Sequence, residues 1–235
     1  ALYWPLPGNK RLDWSLSQLN LNNTFTASIL YDLPFGKGKR YGSRWSGATN
    51  TLLGHWQVNL IARAQSGFPL FVVDSDNADI FPGAAGDSGT FFNYDGFSLN
   101  RPNEVGDPNK AGPVAANPGC AAPARVHTLQ NWFNPCAFVR APAGELGTAA
   151  RAPLYGPRFV NTDFSIIKDF PLSFREAMNL QFRAEFFNLL NHPQYFLGGL
   201  GDTGQQDINS PSSFGVINQT LNNSRDIQFA LRLNF

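Results

Sequence analysis

Large apolar residues alternate with polar or small ones in several separate stretches of this chain. The clearest is 225–235, RDIQFALRLNF, where Ile227, Phe229, Leu231, Leu233 and Phe235 alternate with Asp226, Gln228, Ala230, Arg232 and Asn234. A strand repeats its side-chain direction every second residue, so the large apolar side chains share one face. The same period runs through 23–33, with Phe25, Ala27, Ile29, Tyr31 and Leu33 opposing Thr24, Thr26, Ser28, Leu30 and Asp32. In 55–73, Trp56, Val58, Leu60, Ala62 and Ala64 oppose Gln57, Asn59, Arg63 and Gln65, with Ile61 out of phase. Gly67 and Pro69 then interrupt the pattern, and a bulge there lets a short strand, Leu70–Val73, follow. In 159–170, Thr162, Phe164 and Ile166 oppose Asn161, Asp163 and Ser165, with Ile167 out of phase. In 178–189, Leu180, Phe182, Ala184 and Phe186 oppose Asn179, Gln181, Arg183 and Glu185, which predicts a hairpin with the preceding strand.

Strands of about 9–11 residues with one apolar and one polar face have the length and pattern of a tilted membrane-spanning β-strand. A soluble sandwich also alternates, and composition decides between the two. Charged residues make up 15% of the chain against roughly 25% in soluble domains, and 21 residues are Phe, a poor surface for water. No apolar run is long enough for a membrane helix. The predicted class is therefore all-β: an antiparallel transmembrane β-barrel segment with two long extracellular loops, 74–158 and 190–224. The first is rich in Gly, Pro, Ala, Asn and Asp and the second in Gly, Asn, Ser and Asp; neither carries a sustained period, and outer-membrane barrels place such loops outside the cell. The connections Pro34–Gly54 and Pro171–Glu176 and the end of the last strand then lie on the periplasmic side.

Charge and cysteine content narrow the chemistry. The 235 residues carry 18 basic and 17 acidic side chains, net +1, so nucleic acid is not an expected partner. Gly36-Lys37-Gly38 lacks the spacing of a phosphate loop and reads better as a basic turn at a membrane surface. Cys120 and Cys136 bracket a Pro/Gly/Ala-rich stretch and read as a disulfide, which requires an oxidising compartment; two unpaired thiols are the alternative. Asp74, Asp76 and Asp79 supply closely spaced oxygens and form a weak calcium candidate. The turn Gly and distal Glu of an EF-hand loop are missing, so a solvated acidic loop is the favoured reading. Arg63, Asp163, Arg183 and Glu185 fall on the polar strand faces and are expected as luminal charges. Pairing of Arg183 with Glu185 or with Asp163 is favoured over general acid–base work, for which no partner constellation is present. No cofactor and no catalytic residue are expected.

The blocks LYDLPFGKGKR, GHWQVNLIARAQSGFPLFV, WFNPCAF, LYGPRFVNTDFSIIKDF, LQFRAEFFNLLNHPQYF and SRDIQFALRLNF occur in an order that resembles the C-terminal part of Oar-like TonB-dependent outer-membrane receptors. This is the acidobacterial, carboxypeptidase-regulatory-like domain-containing family. The resemblance covers roughly residues 20–235. It implies that 1–235 is the C-terminal part of one barrel domain in the bacterial outer membrane, contributing wall and ligand-facing loops to the uptake of a large substrate. The expected partners are outer-membrane lipid, N-terminal strands and a plug beyond this chain, the TonB system acting through that part, and the barrel-assembly machinery. The last is expected to read Phe229, Leu231, Leu233 and Phe235 as a C-terminal signal. The strand count points the same way, because single-chain bacterial barrels begin at about eight strands and an open edge in lipid is costly. The alternative function is structural: a β protein assembling with other chains at the cell surface as a fibre or sheath subunit.

Overall fold

A computed structural model describes residues 14–17, 19–75, 93–94, 97–98, 101–142, 145, 147–150, 152–172, 178–197 and 205–235. The strands, in chain order, are β1 (Thr24–Asp32), β2 (Trp56–Gln65), β3 (Pro69–Val73), β4 (Asn93–Tyr94), β5 (Phe97–Ser98), β6 (Asn103–Glu104), β7 (Phe138–Val139), β8 (Leu154–Tyr155), β9 (Phe159–Pro171), β10 (Asn179–Phe187), β11 (Tyr195–Phe196), β12 (Gln205–Asp207), β13 (Gln219–Thr220) and β14 (Asp226–Asn234). One α-helix, α1 (Gly47–Leu53), precedes β2. No described helix is long and apolar enough to cross a membrane. The chain divides into two compact units. One comprises Ala1–Asn22, Ser66–Arg158 and Tyr195–Thr220; the other comprises Asn23–Gln65, Phe159–Gln194 and Leu221–Phe235.

The second unit is a wall of five strands in the order β1-β2-β9-β10-β14, antiparallel throughout. Its register lines up residues of like polarity. Ile29, Leu60, Phe164, Phe186 and Ile227 form one cross-strand row, and Tyr31, Val58, Ile166, Ala184 and Phe229 form the next on the same face. Rings meet along this face, Phe164 with Phe186 and Phe182 with Phe229, each pair at 6.2 Å between centroids. The opposite face carries the rows Leu30, Asn59, Ser165, Glu185, Gln228 and Asp32, Gln57, Ile167, Arg183, Ala230. A one-residue slip would exchange the two faces, so the alternation itself pins the register. Among the described residues, β1 and β14 each have a strand neighbour on one side only.

The first unit is built differently. The 55–73 stretch does not continue as one strand of the wall: β2 ends at Gln65, and β3 pairs in parallel with β12 and antiparallel with β8. Only glycine fits at the break, since a Cβ on Gly67 would lie 1.8 Å from the carbonyl oxygen of Gly156. β3 is buried at every residue, which explains why Leu70, Phe71, Val72 and Val73 run on without alternation. Around it lies a core of Leu70, Val72, Leu154, Leu197 and Ile217 with Phe133, Phe138 and Phe214. The three Phe rings pack edge to face at 4.9 to 6.0 Å, the arrangement their quadrupoles favour. The expected long loops 74–158 and 190–224 thus contribute residues to a packed unit. It escapes the periodicity because its strands are only two to five residues long.

Candidate functional site

The polar face of the wall holds Arg63, Asp163, Arg183 and Glu185, brought there by the two-residue period and fixed by the antiparallel register. Arg183 reaches Glu185 at 3.4 Å between Nη1 and Oε1, and its Nη2 donates to Gln181 Oε1 at 3.4 Å. Gln181 in turn donates to Asp169 at 3.0 Å. Asp163 takes no part in that pair. Its Oδ1 accepts from Asn161 Nδ2 at 3.0 Å and from the backbone N–H of Asn188 at 2.9 Å, tying β9 to the turn after β10. Arg63 donates to Gln65 Oε1 at 2.9 Å, with its guanidinium 5.7 Å from the centre of the Phe159 ring. Gln57 donates to Asp32 at 2.7 Å. The face is therefore a ladder of amides and charges that largely satisfy one another, with no nucleophile–base pair among these residues.

The other face is dry in composition and uncovered in the structure. Phe25 is 61% exposed, Phe229 68%, Leu231 69% and Phe235 95%, which is far outside the habit of a soluble surface. Phe229, Leu231 and Leu233 stand on β14, and Phe235 is the residue after it. One charge on this face was not anticipated. Lys168 lies between Trp56 and Phe182 in the cross-strand register and is buried. Its ammonium donates to the Gly54 carbonyl and lies 5.4 Å from the Trp56 ring centre and 5.1 Å from that of Phe170. Aromatic faces and a backbone oxygen thus replace the water the ammonium gives up.

The end of the wall from which the long connections leave is closed by side chains standing in for backbone. Buried Gln194 accepts from the Val160 N–H at 2.6 Å and donates to the Val160 carbonyl, so its amide pairs with that residue as a strand neighbour would. Asn188 and Asn191 take positive φ, a conformation Asn tolerates, and the Asn191 side chain accepts from the Arg225 N–H at 2.9 Å. These residues belong to the FNLLNHPQYF block, whose Asn content was the signal available for them.

In the first unit, Asp74 is fully buried, and its carboxylate is held by Arg140 at 3.3 Å and by Asn209 Nδ2 at 2.7 Å. Asn209 also donates to Asp207 at 3.1 Å, and Asp207 accepts from the Ser75 hydroxyl at 2.6 Å. The carboxylate proposed for calcium is occupied by a guanidinium and an amide, while Asp76 and Asp79 lie outside the described residues. Among the described residues no group of three or more His, Cys, Asp or Glu is placed to hold a metal ion. Cys120 and Cys136 are joined in a disulfide with 5.6 Å between Cα atoms. Beside it, Asn134 accepts from the Cys136 N–H at 3.1 Å and donates to the carbonyls of Lys110 and Gly112, both at 2.9 Å. Burial, and after it the charge of Asp107, push the Glu104 carboxyl above the ordinary glutamate range. Asp107 is held below its ordinary value by the Asn109 backbone N–H and then by Lys110, 3.3 Å away.

These features amount to a sheet with one face suited to hydrocarbon and one to water, which is the requirement on a barrel wall. No curated protein and no solved structure matches the chain. The family model of the outer membrane beta barrel domain matches residues 2–228. The chain belongs to that outer-membrane β-barrel family, and its place is the bacterial outer membrane.

Proposed function

We propose that this chain supplies wall strands and ligand-facing outer loops to a TonB-dependent receptor that takes up a large substrate. The observation that carries the reading is the cross-strand register, which gathers apolar residues from all five strands on one face and the Arg183–Glu185 pair with its amide neighbours on the other. On this reading the apolar face meets lipid, and Arg63, Asp163, Arg183 and Glu185 line the lumen. β1 and β14 pair with strands supplied from outside residues 1–235. The plug and the contact with the TonB system also come from outside this stretch, and the segments 74–158 and 190–224 face the exterior.

Cysteine scanning in native outer membranes tests the wall. Phe229→Cys and Ile227→Cys should react only with a lipid-phase probe, and Gln228→Cys and Glu185→Cys only with a water-soluble maleimide. Equal labelling of both sets would sink the reading, and release of the chain by carbonate washing would favour the fibre or sheath subunit. The transport half is tested in the native cell: growth on large nutrient substrates that requires the receptor should also require a working TonB system. Deleting Phe235 should lower the amount of heat-modifiable, assembled barrel, and unchanged assembly would remove its role as a signal to the barrel-assembly machinery.

A further inference from the structure

The connection between β1 and β2 is longer than a hairpin needs, and it is a folded element. The Gly36 N–H donates to the Tyr41 carbonyl and the Tyr41 N–H to the Pro34 carbonyl, both at 2.9 Å across a turn, and the Phe35 and Tyr41 rings meet at 5.7 Å. Asn50, on α1, accepts from the Lys37 N–H at 2.6 Å, which ties the helix to the turn. α1 spans only Gly47–Leu53, too short to persist alone, and its exit is held against the wall's apolar face. Trp56 Nε1 donates to the Leu52 carbonyl at 2.9 Å, and Lys168 donates to the carbonyl of Gly54. Both side chains belong to that apolar face.

Two further properties point to a ligand. Residues 33–55 contain Lys37, Lys39, Arg40 and Arg44 and no Asp or Glu, although the chain as a whole is only +1. All four basic residues are exposed; among the described residues Lys39 alone of the four meets a carboxylate in an ion pair, that of Asp32 in β1 at 3.7 Å. In the same element Tyr41, Leu52 and Leu53 leave 50%, 63% and 52% of their surface uncovered. Exposed leucines and an aromatic next to a cluster of cations are the composition of an interfacial element, with apolar side chains at acyl depth and cations at phosphate depth.

We infer that residues 33–55 form a platform that binds the headgroups of anionic phospholipids in the leaflet at the short-connection end of the wall. That end is the periplasmic one, because the register opposes Asp32 with Gln57 and Asn179 with Pro171, so the shorter connections leave there. The platform rests on the barrel-wall reading, since it needs the apolar face to sit in lipid. Each basic residue near an anionic surface multiplies affinity by about five, so a large composition dependence follows.

The test purifies from native outer membranes the assembled barrel that contains this chain and titrates it with vesicles of phosphatidylcholine alone and of phosphatidylcholine with a quarter phosphatidylglycerol, reading binding by flotation and insertion by protease protection. The barrel should insert into both and bind the anionic vesicles at least about tenfold more tightly at low salt. Raising sodium chloride to about 0.5 M should erase most of that preference. The combined variant Lys37→Gln, Lys39→Gln, Arg40→Gln and Arg44→Gln should still insert into neutral vesicles and bind the two compositions within about twofold of each other. Equal binding by the unaltered chain, a preference that survives high salt, or a preference kept by the Gln variant would each overturn the platform while leaving the wall intact. Failure to insert into either vesicle overturns the wall and the platform together. If the Gln variant does not assemble, the salt series on the unaltered chain decides alone.

Discussion

Phe133 is fully enclosed by protein, while Phe229 leaves 68% of its surface uncovered, although both are phenylalanines of the same chain. The unit around Phe133 follows the rule of a water-soluble core: apolar side chains converge and a disulfide closes a loop. The wall around Phe229 has almost no interior. Ala184 and Ile167 are its buried apolar residues among those described, and the remaining apolar surface is turned outward. The contrast teaches that sequence apolarity does not say where a residue finds cover. In one unit other side chains provide it, and in the other the solvent must, which means hydrocarbon.

The largest break of this comparison is Phe133→Ala, which should destabilise its unit by about 3–5 kcal/mol because the neighbouring Phe rings cannot fill the space. Denaturant unfolding of the full chain in micelles, followed by hydrogen exchange of the Phe138 region, reads it; a loss under about 1 kcal/mol would mean the core is not a core. Next comes Leu231→Arg on the apolar face, expected to cost about 2–4 kcal/mol in bilayers. Gln228→Arg, on the polar face opposite Glu185, should be close to neutral. Equal costs for the two would erase the distinction between faces. Reduction of Cys120–Cys136 should cost about 3 kcal/mol from loop entropy, confined to the unit that contains it, and wall exchange rates should not move. The smallest effect is a pH signature at Glu104. Because its folded carboxyl sits above the ordinary range, the protonated form favours the fold and that benefit is lost as pH rises through the folded value. Glu104→Gln should therefore raise stability at neutral pH, by no more than about 0.5 kcal/mol, with the gain vanishing in acid.

The wall was legible because two solvents act on one ladder, and a period of two is what they imprint. The expected strand 159–170 and the observed β9, Phe159–Pro171, differ by a residue. Lys168 was not legible as a buried residue, because its shelter comes from Trp56 on another strand and from the Gly54 carbonyl far along the chain. The first unit was read as loop for a related reason. Phe133, Phe138 and Phe214 come from segments without repeat, and only three dimensions bring them together. Asn134 and Gln194 were missed because an amide replacing a backbone partner leaves no pattern beyond its own identity. The basic turn at Gly36-Lys37-Gly38 was recognised as a stretch of charge, but the helix behind it was not.

The parallel pairing of β3 with β12 sets an order on assembly. β3 is complete once Val73 has been made, yet its partner begins at Gln205, and Phe214, which packs on Phe133, comes later still. In chain order β9 and β10 lie between them. A polypeptide delivered from its N-terminus can pair β3 with β8 once Leu154 and Tyr155 are made, but must carry the other edge of this wholly apolar strand open until β12 arrives. Such non-local closure is slow, and the exposed segment invites pairing with other chains. That edge of β3 stays open until Gln205 arrives, roughly the last eighth of the chain, and a holdase that covers apolar strands would have its work there.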